Sequence, residues 1–354
     1  MSVKPSSVIV VGAGIVGACI AYHLARQGVQ VTVLEQHSPG AGVTRHSFAW
    51  INPHGEFPAA ARPLRAQALA DYRRLQQELP ALQIHWSGAL TYRDSDQQTT
   101  DEAANDALPQ WIDRGRIAQL EPHLQVLPQR ARFAPGEGSL DPLAATRTLL
   151  DAACAHGARV LDQTQALSLR TEGQRMLGVT TAAGLYRADQ VLLAAGCATP
   201  ALLAPLGITL PVQASPSILI RVDAPPGLVK TLVSNSQLEI REAADGSLLL
   251  AEDYVDAQGP QGPEAIAQQA LASIRRLFRG AGNISLRSVE VGQRPMPQDQ
   301  LPIIGPCSAY QGLYLAVMHA GVTLAPTVGR LVCEELLRGQ ASADLTACRP
   351  ARFS

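Results

Sequence analysis

The spacing of apolar and polar positions changes at a few sharp points, and these divide the chain into elements. Residues 8 to 11 form a continuous apolar run, the glycine-rich stretch "GAGIVG" follows, and an amphipathic segment leads to Gly28. A second apolar run then ends in Glu35. This succession predicts strand, tight turn, helix and parallel strand. Between Pro58 and Leu79, the residues Leu64, Ala68, Tyr72, Leu75 and Leu79 recur at helical spacing among Arg and Gln, predicting a surface helix with one apolar stripe. Short β-favouring runs separated by Gly, Pro and Asp follow in "ALQIHWSGALTYRDS", "SPSILIRVDAP", "SQLEIREA" and "GSLLLAEDYVD". They predict an antiparallel sheet inserted into the first unit. "GARVLDQTQALSLR" reads as a further member of the first sheet, and "RADQVLLAAGCATPALL" as an apolar strand running through Ala195 and Gly196 into a helix-like segment. "PEAIAQQALASIRRLFRGAG" predicts one amphipathic helix closed by Gly280 and Gly282, and helical periodicity returns from about Pro326 to Gly339.

The first of these units carries a nucleotide fingerprint. Gly12 allows the turn after the strand, Gly14 lets backbone approach a pyrophosphate, and Gly17 permits close helix-on-strand packing. The amides of Gly12, Ala13, Gly14, Ile15, Val16 and Gly17 are therefore candidate phosphate contacts. Glu35, with Gln36 beside it, closes the second strand where a carboxylate accepts both ribose hydroxyls. An acidic residue there disfavours a 2′-phosphate, and so disfavours NADP.

Composition narrows the possibilities further. At 354 residues the chain is longer than one core usually supports, which predicts two domains. With 46% hydrophobic and 17% charged residues and a net charge of -1, it lacks the broad field expected for nucleic acid or anionic lipid. The six cysteines show neither C-x-x-C pairs nor metal-ligand spacing with His, so no metal site or disulfide framework is indicated. A reducing cytoplasm fits best. No apolar run approaches the ~18 to 20 residues that span a bilayer.

After Glu35 comes "QHSPGAGVTRHSFAWINPHG", a loop of small residues rather than the next unit of an NAD domain, which favours FAD. Within it Thr44, Arg45, His46 and Ser47 are candidates for contact with pyrophosphate or flavin. The stretch "GQRPMPQDQLPIIGP" sets Arg294 among prolines and apolar residues. Its planar guanidinium suits two parallel bonds to a carboxylate, and an alternative use is pairing with Asp299 or capping carbonyls across the turn.

The chain resembles the D-amino-acid oxidase, glycine oxidase and sarcosine oxidase family of FAD enzymes. Four segments carry the resemblance: the fingerprint with Glu35; "EGSLDP" at 137 to 142; the strand to Ala-Ala-Gly at 191 to 196; and "RPMPQDQLPIIG" with "HAGVTLAPTVGRLVCEELLRG". It implies an α/β fold in which a Rossmann-like, glutathione-reductase-like FAD-binding domain (residues 1–80, 141–212 and 292–354) holds an inserted antiparallel-sheet substrate domain (81–140 and 213–291). It also implies a carboxylate anchor at Arg294, with His319, His54 and Tyr254 as further candidates near the substrate or flavin, and the helix start near Gly321, with its partial positive charge, makes the backbone of Gly321, Val322, Thr323 and Leu324 candidate flavin contacts. Sarcosine-oxidase-type members attach FAD through a cysteine a little before the arginine motif, where this chain has Gly292 and Gln293, so non-covalent FAD is expected. The expected partners are a small amine or amino acid and an electron acceptor, either oxygen or a protein in a homo- or hetero-oligomeric assembly.

Overall fold

The computed structural model describes residues 5–55, 57–93, 109–253 and 262–353; Tyr254 lies outside them. Among the described residues, six strands form one sheet in the order Ile303–Pro306, Leu313–Val317, Gln190–Leu193, Ser7–Val11, Gln30–Leu34, Arg159–Leu161. All neighbours run parallel except the first pair. The apolar runs of the sequence are explained by two-sided burial. Val8 and Val10 face one core with the helices Ile15–Arg26, Pro142–Ala155 and Gly321–Arg338, whereas Ile9 and Val11 face a second core. The helices Ile15–Arg26 and Gly321–Arg338 cross closely, since a Cβ at Gly329 would lie 2.8 Å from His23 Cδ2 and 2.9 Å from Cys19 Sγ.

An eight-stranded sheet stands over this unit in the order Ser285–Pro297, Val212–Asp223, Leu248–Asp253, Glu239–Glu242, Leu232–Ser234, Ala89–Thr91, Arg130–Ala134, Gln110–Asp113. Its outer face packs Ile218, Ile220, Ile240 and Leu250 against Ala267, Leu271 and Ile274 of the helix Pro263–Leu277. The pleat sends alternate residues to the other face, so the register Glu239↔Ser234↔Thr91↔Arg132 lays a polar row across the sheet. One pair departs from the antiparallel expectation: Leu232–Ser234 runs parallel to Ala89–Thr91, because the chain reaches it by a long excursion rather than a hairpin.

Three further expectations change. Arg159–Leu161 joins the parallel sheet, but Ser168–Glu172 pairs with Arg175–Thr181 in a separate three-stranded sheet. The helix over 58 to 79 is broken into Ala59–Ala61, Arg62–Ala66 and Ala68–Glu78, yet buries Leu64, Ala68, Tyr72 and Leu75 as the stripe requires. At the break Gln67 turns its side chain to Pro63 O (3.0 Å), Asp344 Oδ2 (3.0 Å) and Arg330 Nη2 (2.5 Å). The carboxy-terminal helix begins at Gly321, five residues before Pro326, for a reason given below.

Candidate active site

The fingerprint is built as its glycines require. Gly12 has φ +103°, a conformation costly for any residue with a Cβ, and a Cβ there would lie 2.5 Å from Ala194 O. A Cβ at Gly17 would lie 2.1 Å from Gly12 O, so this glycine lets the helix rest on the turn. Both oxygens of Glu35 are held by amides, Oε2 by Ala13 N and Oε1 by His37 N, each at 2.9 Å. Thr44 Oγ1 accepts from Ile15 N at 3.2 Å, which docks the turn Val43–His46 on the start of the fingerprint helix.

A cavity of about 1470 Å³ opens beside this turn and runs beneath the polar row of the sheet. That exceeds the roughly 300 to 1,000 Å³ of an ordinary small-ligand pocket and leaves volume for a dinucleotide and a second molecule. Its wall includes Gly12, Gly14, Ile15, Val16, Glu35, Gln36, Thr44, His46, Ser47, Ala195, Gly196, Gly321, Val322 and Thr323, together with His54, Arg294 and His319. Four expected contacts lie off the wall. Ala13 and Leu324 are buried in the core, Gly17 lies within the fingerprint helix on the side facing the turn, and Arg45 extends outward with its Nε 3.9 Å from Glu290. Two alanines on the wall, Ala49 (φ +56°) and Ala320 (φ +58°), hold the left-handed conformation, the kind of strain that collects at functional sites.

On the roof, the strand Ser285–Pro297 carries Arg294 opposite Ser215. Its guanidinium Nη2 donates to Ser215 Oγ at 3.1 Å and to Pro216 O at 3.2 Å. Asp299 is engaged elsewhere, by Arg352 at 2.7 Å. Two residues earlier, Gly292 admits His46, whose Cβ would be 2.7 Å from a Cβ there. The His46 imidazole stands 3.0 Å from Glu290, and burial pushes it below the usual histidine range. Cys197, also on the wall, donates to Gln293 O at 3.4 Å, and burial raises its thiol.

At the other end, Gly321 starts the carboxy-terminal helix against Val16, with only 3.2 Å between a Cβ there and Val16 Cγ2. Pro326 sits inside that helix and cannot donate to Val322 O; the buried Tyr72 hydroxyl donates to it instead. This tertiary bond lets the helix begin before its proline. Thr323 Oγ1 donates to Trp50 O at 3.1 Å and accepts from Asn52 N at 3.2 Å, joining the helix start to the strand Trp50–Ile51. Beside it lie residues that sequence reasoning did not single out. Glu137, 2% exposed, takes the Trp50 indole N–H on Oε2 and lies against His54 Nδ1 through Oε1, both at 2.8 Å. Arg65 Nη1 donates to Asn52 O at 2.6 Å, and burial lowers its guanidinium to about 10 against the opposing pull of Glu137. The only sequence signal for Glu137 was its place at the head of "EGSLDP".

The family model for FAD dependent oxidoreductases, DAO, matches residues 7–335. The chain belongs to the DAO family of FAD-dependent oxidoreductases. The chain is 26% identical over 361 residues to the glycine oxidase of Geobacillus kaustophilus, covering 96% of this chain and 94% of that one. It is 29% identical over 412 residues to a D-amino acid dehydrogenase of Cereibacter sphaeroides, with 96% and 94% covered. The crystal structure of glycine oxidase from Geobacillus kaustophilus superposes with a TM-score of 0.84 at 24% identity, covering 98% of each chain, which establishes the shared fold. FAD is the cofactor of the DAO family, and the glycine cradle, the anchored Glu35 and the volume of the cavity fit it. Among the described residues no helix is long and apolar enough to cross a membrane.

Proposed function

We propose that this DAO-family enzyme oxidises the C–N bond of a small amino acid or secondary amine to an imine, with Arg294 anchoring the substrate carboxylate. The FAD-binding part comprises residues 1–80, 141–212 and 292–354, and the substrate part residues 81–140 and 213–291. Bound FAD supplies the acceptor for a hydride from the substrate α-carbon. The chain's own work is to bind, orient and exclude water.

The observation that carries this reading is the position of Arg294 on the cavity wall, its guanidinium steadied by Ser215 and Pro216 while Asp299 is committed to Arg352. A guanidinium held on a strand is already ordered before the substrate arrives, which lowers the entropy lost on binding. The amides of Gly321, Val322 and Thr323 sit at the positive end of an 18-residue helix, suited to negative charge that develops on the cofactor. The phosphates fall to the backbone of Gly12 and Gly14 to Val16, and the ribose to Glu35.

Arg294→Ala is expected to keep FAD and lose about 10²- to 10³-fold in kcat/KM for amino-acid substrates, since Arg294 is half-buried and its loss is worth about 3 to 4 kcal/mol, the lower part of the range for a buried charge pair. Unchanged kcat/KM in that variant would refute the anchor. The resemblance to a D-amino acid dehydrogenase supports a second reading, in which electrons leave to a protein partner rather than oxygen. Peroxide released in step with turnover marks the oxidase, and its absence the dehydrogenase.

A further inference from the structure

We propose that His54 takes the proton from the substrate ammonium nitrogen and that Glu137 is the residue that positions it for this step. The inference rests on the amine-oxidising function proposed above.

Glu137 is a carboxylate almost fully removed from water, in the turn that leads into the strand Gly138–Leu140. Such burial is costly unless the oxygens are satisfied. An indole N–H only donates, so Trp50 fixes the role of Oε2. Oε1 then faces His54 Nδ1, and because an ionised carboxylate only accepts, Nδ1 carries the hydrogen. The neutral imidazole is left with its lone pair on Nε2. The backbone holds both partners in place: Glu137 O accepts from Gly88 N at 2.9 Å, and His54 N donates to Asn52 Oδ1 at 3.1 Å, whose residue carbonyl is gripped by Arg65. Both His54 and Glu137 open on the same cavity as Arg294 and the Gly321 helix start.

The chemistry requires such a group. An α-amino acid enters as its ammonium form, whose nitrogen has no lone pair to form the C=N bond as hydride leaves the α-carbon. In the proposed step one N–H bond of the ammonium breaks, its electron pair stays on nitrogen, and the proton bonds to His54 Nε2. Nothing is oxidised or reduced in that transfer. Among the described residues, the charged groups around the dyad include Arg65 on Arg62–Ala66 and Arg73 on Ala68–Glu78, the latter behind the turn at Gly136. Along the cavity stand Arg93, Arg132, Arg294, Glu239, Glu252 and His319.

The test is the pH dependence of kcat/KM for an amino acid that reduces the flavin, measured on wild type, Glu137→Gln and His54→Gln, with FAD content and thermal melting recorded for each. Glutamine keeps the shape and the bond from Trp50 but removes the negative charge that favours a protonated imidazole. The expected result is an acidic limb displaced to lower pH in Glu137→Gln. In His54→Gln the limb is expected to vanish, with kcat/KM down about 10²-fold or more. In ¹⁵N–¹H spectra of substrate-free holoenzyme, His54 is expected as the Nδ1–H tautomer, a readout independent of turnover. The proposal is overturned by a limb that stays in place in Glu137→Gln, by one that survives in His54→Gln, or by a hydrogen found on Nε2. Wild type that no amino acid reduces overturns the function proposed above and this role with it, which sets that failure apart from the others.

Discussion

Replacing Tyr72 by phenylalanine removes one buried donor from the start of the carboxy-terminal helix and leaves the ring in place. Pro326 has no N–H for Val322 O, and the Tyr72 hydroxyl supplies the bond. Tyr72 is 2% exposed and Val322 8%, so water is poorly placed to substitute. Leaving a buried carbonyl without a partner costs about 1 to 3 kcal/mol. That loss should appear in urea unfolding as a lower midpoint with unchanged slope. Because Gly321 to Thr323 form part of the cavity wall, FAD binding should weaken as well. Pro326→Ala tests the cause, since alanine restores an N–H within reach of Val322 O. It should recover about 1 kcal/mol more in the Tyr72→Phe background than in wild type. Equal effects of Pro326→Ala in the two backgrounds would refute the substitution of a side-chain donor for a helix donor.

Gly17→Ala should abolish FAD retention, because the new methyl falls 2.1 Å from Gly12 O and the helix has to lift off the turn; a yellow protein after purification would contradict this. Burial pushes His23 from 6.5 down to about 4, so between those values the unfolded chain binds the extra proton. Stability present above pH 6.5 is then lost towards pH 4 by an amount on the order of 3 kcal/mol, and His23→Asn should flatten that dependence in urea midpoints taken at pH 7 and 4.5. Acid precipitation should leave the flavin in the supernatant, because the cavity cysteine Cys197 is kept as a thiol by burial and by its bond to Gln293 O. Colour in the pellet would show a covalent link.

What could be read from the sequence was what is written locally. The fingerprint combines a strand, three glycines and Glu35 within thirty or so neighbouring positions, and the glycine geometry follows directly from that order. The strands of the roof were visible as alternating runs, but their partners were not: the parallel pairing of Leu232–Ser234 with Ala89–Thr91 joins segments far apart in the chain. The helix read as starting near Pro326 because helical periodicity is visible only from there, and Tyr72 arriving from another helix makes the earlier start possible. Glu137 shows the same limit for chemistry. Its partners His54 and Trp50 lie 83 and 87 residues away, so its charge has no visible use until the small sheet brings Trp50 against Ser139. Arg294 drew notice because the proline-rich stretch around it is unusual for a charge, whereas its place on the cavity wall and its supports Ser215 and Pro216 come from the fold alone.

The measurement that bears most directly on the function is anaerobic titration of the FAD-loaded protein with a panel of D- and L-amino acids, glycine, sarcosine and D-proline, following the flavin absorbance. Bleaching by at least one of these, lost or greatly slowed in Arg294→Ala, is the expected result. An oxidised spectrum unchanged across the whole panel would contradict an amino-acid oxidoreductase.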